Sequence, residues 1–309
     1  MTFSERVKSE ILSKNNMQPC CQIASLSAFI RGAGTISVLH GKIGFEIITE
    51  NQTAIDYYLK IIKTVYGLNA EKESVYHGKK YRLRLINDKS SAVLVDLGIL
   101  SNNENGISIN LNIDKYLLEN DCCVQAYVLG AFIGSGSVTV PSNLKNSSTS
   151  YHLEFVFSKY QTASDFANVL SQKGFMPKYV NRKESHVVYF KNGDEISELL
   201  FYMGATKACF ELKDIVISKD ISNETNRRIN CEMANIDKQG VASDNHIKGI
   251  NLIKETIGLD GLSAQLKQTA LLRLNYPESS LEELSKISGL TKSCINHRLR
   301  KILEIANNL

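Results

Sequence analysis

Lys292, Ser293, Asn296, His297, Arg300 and Lys301 recur at spacings that gather them on one side of a short helix near the C-terminal end of the sequence. Asn and Arg are the side chains that read base edges with paired hydrogen bonds in a DNA major groove, Asn on adenine and Arg on guanine. Lys and Arg add attraction for phosphate. Between Leu284 and Leu303 there are five Lys or Arg and no Asp or Glu, a local charge of +5 in a chain whose net charge is +4. A terminal helical bundle with a solvated basic face is the plainer alternative. Turn chemistry and core spacing favour DNA.

The cysteines are a second set of reactive groups. There are seven, including the doublets Cys20-Cys21 and Cys122-Cys123. No Cys-x-x-Cys occurs, and the histidines at 40, 77, 152, 186, 246 and 297 are scattered, so no zinc spacing is visible. They read as buried free thiols of a reducing cytosol, with no metal and no cofactor. The glycines at 130, 134 and 136 do not make a phosphate loop. There the helix precedes the glycines, whereas a phosphate sits at the N-terminus of a helix that follows them.

The basic helix needs a frame, and the sequence supplies one. Ser280-Leu281-Glu282-Glu283 is a capping-box pattern, in which Ser280 and Glu283 each bond the other's backbone N–H. Leu281, Leu284 and Ile287 form the buried face of that helix. Gly289 suits a tight turn, Thr291 caps the next helix, and Ile295, Leu299 and Ile302 recur at i, i+4, i+7. With an earlier helix over Ser263–Leu274, capped by Ser263 and closed by Tyr276-Pro277, this is a helix-turn-helix pattern running from Ser280 to Leu303. Before it, residues 205–262 read as helices carrying Cys209, Leu212, Ile215 and Val216, then Ile229, Met233 and Ile236, then Ile247, Ile250, Ile253 and Ile257. Gly240 and Ala242–Asn245 separate the second from the third.

The rest of the chain is a repeat. The cysteine doublets lie 102 residues apart, and that offset also maps Ala24 on Ala126, Gly32 on Gly134, Gly34 on Gly136 and Val38 on Val140. In each copy a helix ending at Gly-x-Gly leads into a hairpin, a helix, a second hairpin and a short helix, an α-β-β-α-β-β-α unit. Residues 24, 28 and 32 are Ala, Ala and Gly, and 126, 130 and 134 are Ala, Gly and Gly. Small residues four apart share a helix face, so the two stripes predict a close helix–helix seam about a pseudo-twofold axis. In the second hairpin of the first copy Tyr81, Leu83 and Leu85 alternate with Lys80, Arg82 and Arg84, giving one apolar and one basic face. The second copy offers Lys178, Arg182, Lys183 and Lys191 there. A solvated sheet face and a phosphate-contacting one fit this pattern equally well.

A paired unit whose first helix ends Leu26-x-Ala28-Phe29-Ile30-x-Gly32-x-Gly34-Thr35 resembles the LAGLIDADG homing-endonuclease fold. The resemblance implies two four-stranded sheets forming a saddle over DNA. It also implies an acid before the final glycine of each helix, where divalent metals are held for phosphodiester cleavage. In this sequence those positions are Ala33 and Ser135, and no Asp or Glu lies between Glu10 and Glu46 or between Asp121 and Glu154. Magnesium takes hard oxygen ligands, usually carboxylates, and two-metal cleavage needs them to fix both ions. The sequence therefore predicts no catalytic residues and no metal, against the alternative of an active Mg²⁺-dependent homing-type endonuclease.

A metal-less LAGLIDADG-like duplication followed by a helix-turn-helix resembles the WhiA family of bacterial regulators. Asn226–Lys238 is similar to that family's Asn-Arg…Asn-Cys-Glu-x-Ala-Asn…Lys stretch. The resemblance implies a cytoplasmic, nucleoid-associated protein that binds double-stranded DNA without catalysis. Its role would lie in cell division and chromosome segregation, or in sporulation-type transcription regulation. A protein-interaction adaptor, whose saddle binds a transcription or division protein, is a further alternative. Lys80, Arg82, Arg84, Lys178 and Arg182 are the saddle positions that would touch DNA.

The expected fold is α+β: a duplicated αββαββα saddle, with repeats at 1–110 and 111–204, a helical linker at 205–262 and a helix-turn-helix at 263–309. A sequence of 309 residues accommodates all of this, and its 43% apolar and 22% charged residues are ordinary for a globular protein. No acidic tail, secretory signal or apolar run of membrane-spanning length is visible, since Val124–Ile133 is about half the ~18–20 residues a span needs.

Overall fold

The computed structural model describes residues 1–13, 17–103, 106–141 and 150–309. The chain forms two compact units, Met1–Asp220 and Ile221–Leu309. The first holds both repeats.

It opens with α1 (Phe3–Ser13), a helix with no counterpart in the sequence-based reading, which buries Phe3, Val7, Ile11 and Leu12. The first repeat follows as α2 (Pro19–Ala33), β1 (Gly34–Leu39), β2 (Lys42–Thr49), α3 (Gln52–Tyr66), β3 (Glu71–Val75), β4 (Lys80–Leu85) and α4 (Ser90–Asp96). A hairpin not expected from the sequence, β5 (Leu100–Asn103) with β6 (Gly106–Ile109), leads to the second repeat. That repeat is α5 (Asp121–Ser135), β7 (Gly136–Thr139), β8 (His152–Phe157), α6 (Tyr160–Gln172), β9 (Lys178–Arg182), β10 (Ser185–Phe190) and α7 (Gly193–Tyr202). The duplicated α-β-β-α-β-β-α order is thus as the sequence predicts.

The two sheets have the same antiparallel topology, β1-β2-β4-β3 and β7-β8-β10-β9. Alternation along each strand sorts the side chains. Phe45 and Ile47 of β2 and Leu83 and Leu85 of β4 are buried, as are Leu153, Phe155 and Phe157 of β8. The helices α2 and α5 pack on one another along the small-residue stripes. A β-carbon built on Gly130 would fall 2.1 Å from the carbonyl oxygen of Ser25, and one on Gly32 would fall 3.1 Å from the side chain of Ser135. Backbone therefore meets backbone, a separation only glycine allows. Above the seam Phe29 stacks on Tyr58 of α3 with ring centroids 3.9 Å apart, and the Tyr58 hydroxyl shares a 2.9 Å hydrogen bond with Ser25 Oγ.

α8 (Thr206–Thr256) begins in the first unit and continues into the second. This corrects the expectation of separate helices divided at Gly240 and Ala242–Asn245. A helical glycine costs only ~1 kcal/mol relative to alanine. Ser243 is drawn inward instead of breaking the helix, because its hydroxyl donates to the carbonyl of Pro277. Ile229, Met233 and Ile236, expected on a buried face, are exposed. Ile250 and Ile253 are buried as their spacing predicts, whereas Ile257 is exposed. After α8 come α9 (Ala264–Asn275), α10 (Leu281–Ser288) and α11 (Lys292–Asn307). The core of the second unit is built from Ile250, Ile253, Leu266, Ala270, Leu284, Ile295, Leu299 and Ile302.

Candidate nucleic-acid interface

The basic helix is fixed by its local chemistry. Ser280 Oγ accepts from the Glu283 backbone N–H at 3.2 Å, and Glu283 Oε2 accepts from the Ser280 N–H at 2.7 Å, closing the capping box. This holds the Glu283 carboxyl below its usual range, through its bonds to Ser280. Gly289 ends α10 in the left-handed region, at φ 70°, which lets the chain turn at once into α11. Thr291 Oγ1 then caps α11 by accepting from the Cys294 N–H at 3.3 Å. Ser263 stands at the N-cap of α9 as expected, but its side chain makes no capping bond.

Leu284, Ile295, Leu299 and Ile302 are buried, while Leu281 and Leu290 are half-buried. Ile287 departs from the expectation. It is 48% exposed, because α10 turns Leu284, not Ile287, into the core with Ile295 and Leu299.

With that side of α11 locked inward, Lys292, Ser293, His297, Arg300 and Lys301 are exposed and Asn296 is half-buried. All six sequence-predicted residues therefore lie on the outer surface of one helix. Among the described residues, no carboxylate pairs with Lys292, Arg300 or Lys301; the nearby Lys286–Glu282 pair lies within α10.

Lys292, Asn296 and Arg300 also border a groove of about 660 Å³, whose other wall includes Asn235, Lys238 and Gln239 of α8. Two polar residues of the Asn226–Lys238 stretch thus face the same space as the basic helix, a convergence that linear spacing does not reveal.

The floor of this groove is unusual. Arg273 is only 2% exposed, and its Nη1 donates to the carbonyl of Ser279 at 2.6 Å, with longer contacts to Ser243 Oγ and the carbonyls of Tyr276 and Pro277. It fastens the α9–α10 turn to α8. Burial lowers its pKa. His246, also buried, is lowered by the same desolvation and then by the charge of Arg273, and its Nδ1 has no hydrogen-bond partner.

The basic strands of the saddle differ from α11. Arg82 pairs with Glu73 at 2.9 Å and with Glu46 at 3.7 Å, and Arg84 with Glu46 at 3.5 Å and Glu71 at 3.9 Å. Arg182 pairs with Glu154 at 3.0 Å. Glu46 and Glu154 are equivalent in the two repeats, opposite Thr35 and Ser137 in register. Each guanidinium is therefore already matched across the strands. Lys80 lies over the Tyr76 ring, and Lys178 is exposed.

At the ends of the paired helices stand Ala33 and Ser135. Ser135 Oγ donates to the Ala131 carbonyl at 3.2 Å. Lys8 of α1 donates to the Ile133 carbonyl at 3.1 Å, placing a cation on the last turn of α5, and burial pushes its pKa down to about 8.

The cysteines are arranged otherwise than expected. Cys21, Cys123 and Cys209 are buried, but Cys20, Cys122 and Cys231 are exposed and Cys294 is intermediate. The two doublets, far apart in sequence, come together with all four Sγ atoms within 4.8 Å of one another. A hydrogen bond with Cys123 lowers the pKa of Cys20, while burial raises Cys21 and pushes Cys123 up to about 11.

Known proteins share this organisation. Residues 19–100 match the WhiA N-terminal LAGLIDADG-like domain, 124–222 the WhiA LAGLIDADG-like domain, and 225–306 the WhiA C-terminal HTH domain. The chain is 36% identical over 319 residues to the probable cell division protein WhiA of Clostridium acetobutylicum, covering 100% of this chain and 98% of that one. It is 36% identical over 322 residues to the probable cell division protein WhiA of Alkaliphilus oremlandii, with the same coverage. The crystal structure of full-length DUF199/WhiA from Thermatoga maritima superposes with a TM-score of 0.58 at 24% identity, over 100% of this chain and 99% of that one, a likeness of fold. No helix among the described residues is long and apolar enough to cross a membrane. Two LAGLIDADG-like repeats and a C-terminal helix-turn-helix, matched along its whole length by these relatives, make this chain a member of the WhiA family.

Proposed function

We propose that the chain is a non-catalytic protein that binds double-stranded DNA and acts in cell division and chromosome segregation, with α11 entering the major groove. The observation that carries this reading is the outer face of α11. Lys292, Arg300 and Lys301 are exposed without a carboxylate partner among the described residues, beside Asn296, on a helix whose other face is packed. Lys and Arg supply phosphate attraction, and Asn296 and Arg300 supply base-reading chemistry. Ser293 and His297 flank them on the same surface.

The saddle takes the lesser part. Its arginines are held by Glu46, Glu71, Glu73 and Glu154, so phosphate contact there falls to Lys80 and Lys178. A division or transcription protein is the other candidate occupant of that face. Ala33 and Ser135 offer no carboxylate where the homing-endonuclease fold would hold metal, which supports binding without cleavage. The relatives' role as probable cell division proteins and the helix-turn-helix together support a cytoplasmic, nucleoid-associated setting.

The test is a mobility-shift titration of the full chain on fragments of its own genome. Arg300→Ala and Asn296→Ala should each weaken specific binding by the roughly 1–3 kcal/mol of a base contact. Unchanged affinity in both would reject α11 as the reading element.

A further inference from the structure

Cys20 and Cys21 lie in the first turn of α2, and Cys122 and Cys123 lie in the first turn of α5. Because the two helices pack along their small-residue stripes, these first turns sit side by side, at the opposite end of the seam from Ala33 and Ser135. Each doublet contributes one exposed and one buried thiol, so the cluster runs from the surface inward. The four sulfurs lie within 4.8 Å of one another, and Cys20 Sγ is already 4.0 Å from Cys21 Sγ.

These dimensions point to one ion. Zinc takes four thiolates at ~2.3 Å in a tetrahedron, whose edges are then about 3.8 Å. The cysteines would close in by no more than about 1 Å to reach that shape. An iron–sulfur cluster spreads its thiolates wider, because several irons and bridging sulfides lie between them. Soft sulfur ligands also select against Mg²⁺ and Ca²⁺. Two helix N-termini converge on the cluster, and the positive ends of their dipoles favour the negative charge of a four-thiolate complex.

We propose that Cys20, Cys21, Cys122 and Cys123 form a four-thiolate site for a single zinc ion, which clamps the two repeats together at the start of their shared helix seam. Binding displaces the protons that the thiols carry, so affinity rises with pH, and the folded first unit is stabilised by metal.

The experiment uses the full-length chain, reduced with a phosphine, freed of metal by chelation, and titrated with Co²⁺ and then Zn²⁺. The expected result is one Co²⁺ per chain with the intense visible bands of tetrahedral coordination and a near-ultraviolet thiolate charge-transfer band. Zinc then displaces it and raises the thermal midpoint. The Cys20→Ser/Cys122→Ser variant alters only exposed thiols and should lose both bands while keeping its circular dichroism. Cys231→Ser, exposed and outside the cluster, should retain them. Zinc-edge X-ray absorption of the unmutated chain, which depends on no variant, should return four sulfur neighbours. A reduced chain that takes up no Co²⁺, one that gives only weak octahedral bands, bands that survive in the double variant, or a nitrogen- and oxygen-dominated zinc shell would each overturn the site. So would doublets that remain disulfide-bonded under the reductant.

Discussion

The α-carbon of Gly130 sits so near Ser25 that a β-carbon on it would lie 2.1 Å from the Ser25 carbonyl oxygen. The obstacle is backbone, which cannot swing aside as a side chain could. It fixes the distance between α2 and α5, and with it the placement of the two sheets and of the cysteine doublets. Gly130→Ala should therefore destabilise the first unit by about 1–3 kcal/mol despite alanine's better helix propensity. Gly240→Ala in α8, where a β-carbon meets nothing within 4 Å, is the matched control and should gain up to ~1 kcal/mol. Denaturant unfolding of both variants measures the contrast.

Arg273 joins the α9–α10 turn to α8 through oxygens of Ser243, Tyr276, Pro277 and Ser279. Arg273→Met keeps much of the volume but leaves those acceptors without their donor, and should cost about 2 kcal/mol or more. Arg273→Lys should rescue it only in part: all four contacts fall to the single nitrogen Nη1, but an ammonium is more strongly hydrated than a guanidinium and costs more to bury. Thermal unfolding of the second unit's transition reads both.

His246 gives that unit a pH dependence of defined sign. Its folded pKa lies below the ordinary value, through burial and then the charge of Arg273. Above about pH 6.5 the ring is neutral in both folded and unfolded chains. As pH falls through that value the unfolded chain takes up a proton that the folded site resists, so stability declines. The thermal midpoint should drop between about pH 7.5 and pH 5.5, and His246→Gln should flatten the drop.

The two apolar residues of α10 should behave differently. Leu284 is 1% exposed and Ile287 48%. Leu284→Ala should cost about 2–5 kcal/mol, whereas Ile287→Ala should fall within about 0.5 kcal/mol of the parent. Urea denaturation separates them readily.

The repeat was legible because Gly-x-Gly at 32 and 34 and at 134 and 136 marks where each helix becomes a strand, and the helix-turn-helix because Ser280, Glu283, Gly289 and Thr291 are local signals acting on their own neighbours. What escaped detection depends on distant parts of the chain. Gly240 and Ser243 look like breaks until Pro277 accepts the Ser243 hydroxyl. The arginines of β4 look free until Glu46, Glu71 and Glu73 arrive from neighbouring strands. The cysteine doublets resemble no metal motif because their proximity is made by the helix seam, across 102 residues. α1 carries its own signals, a Thr2–Glu5 capping box and Phe3, Val7 and Ile11 four residues apart, which the sequence-based reading passed over.

DNA reading by α11 is tested most directly by mapping bound DNA across the genome for the full-length chain and its Asn296→Ala/Arg300→Ala variant, expressed at equal levels. Sharp peaks that collapse to a diffuse background in the variant are the predicted result. Peaks of the same position and height in both would contradict it.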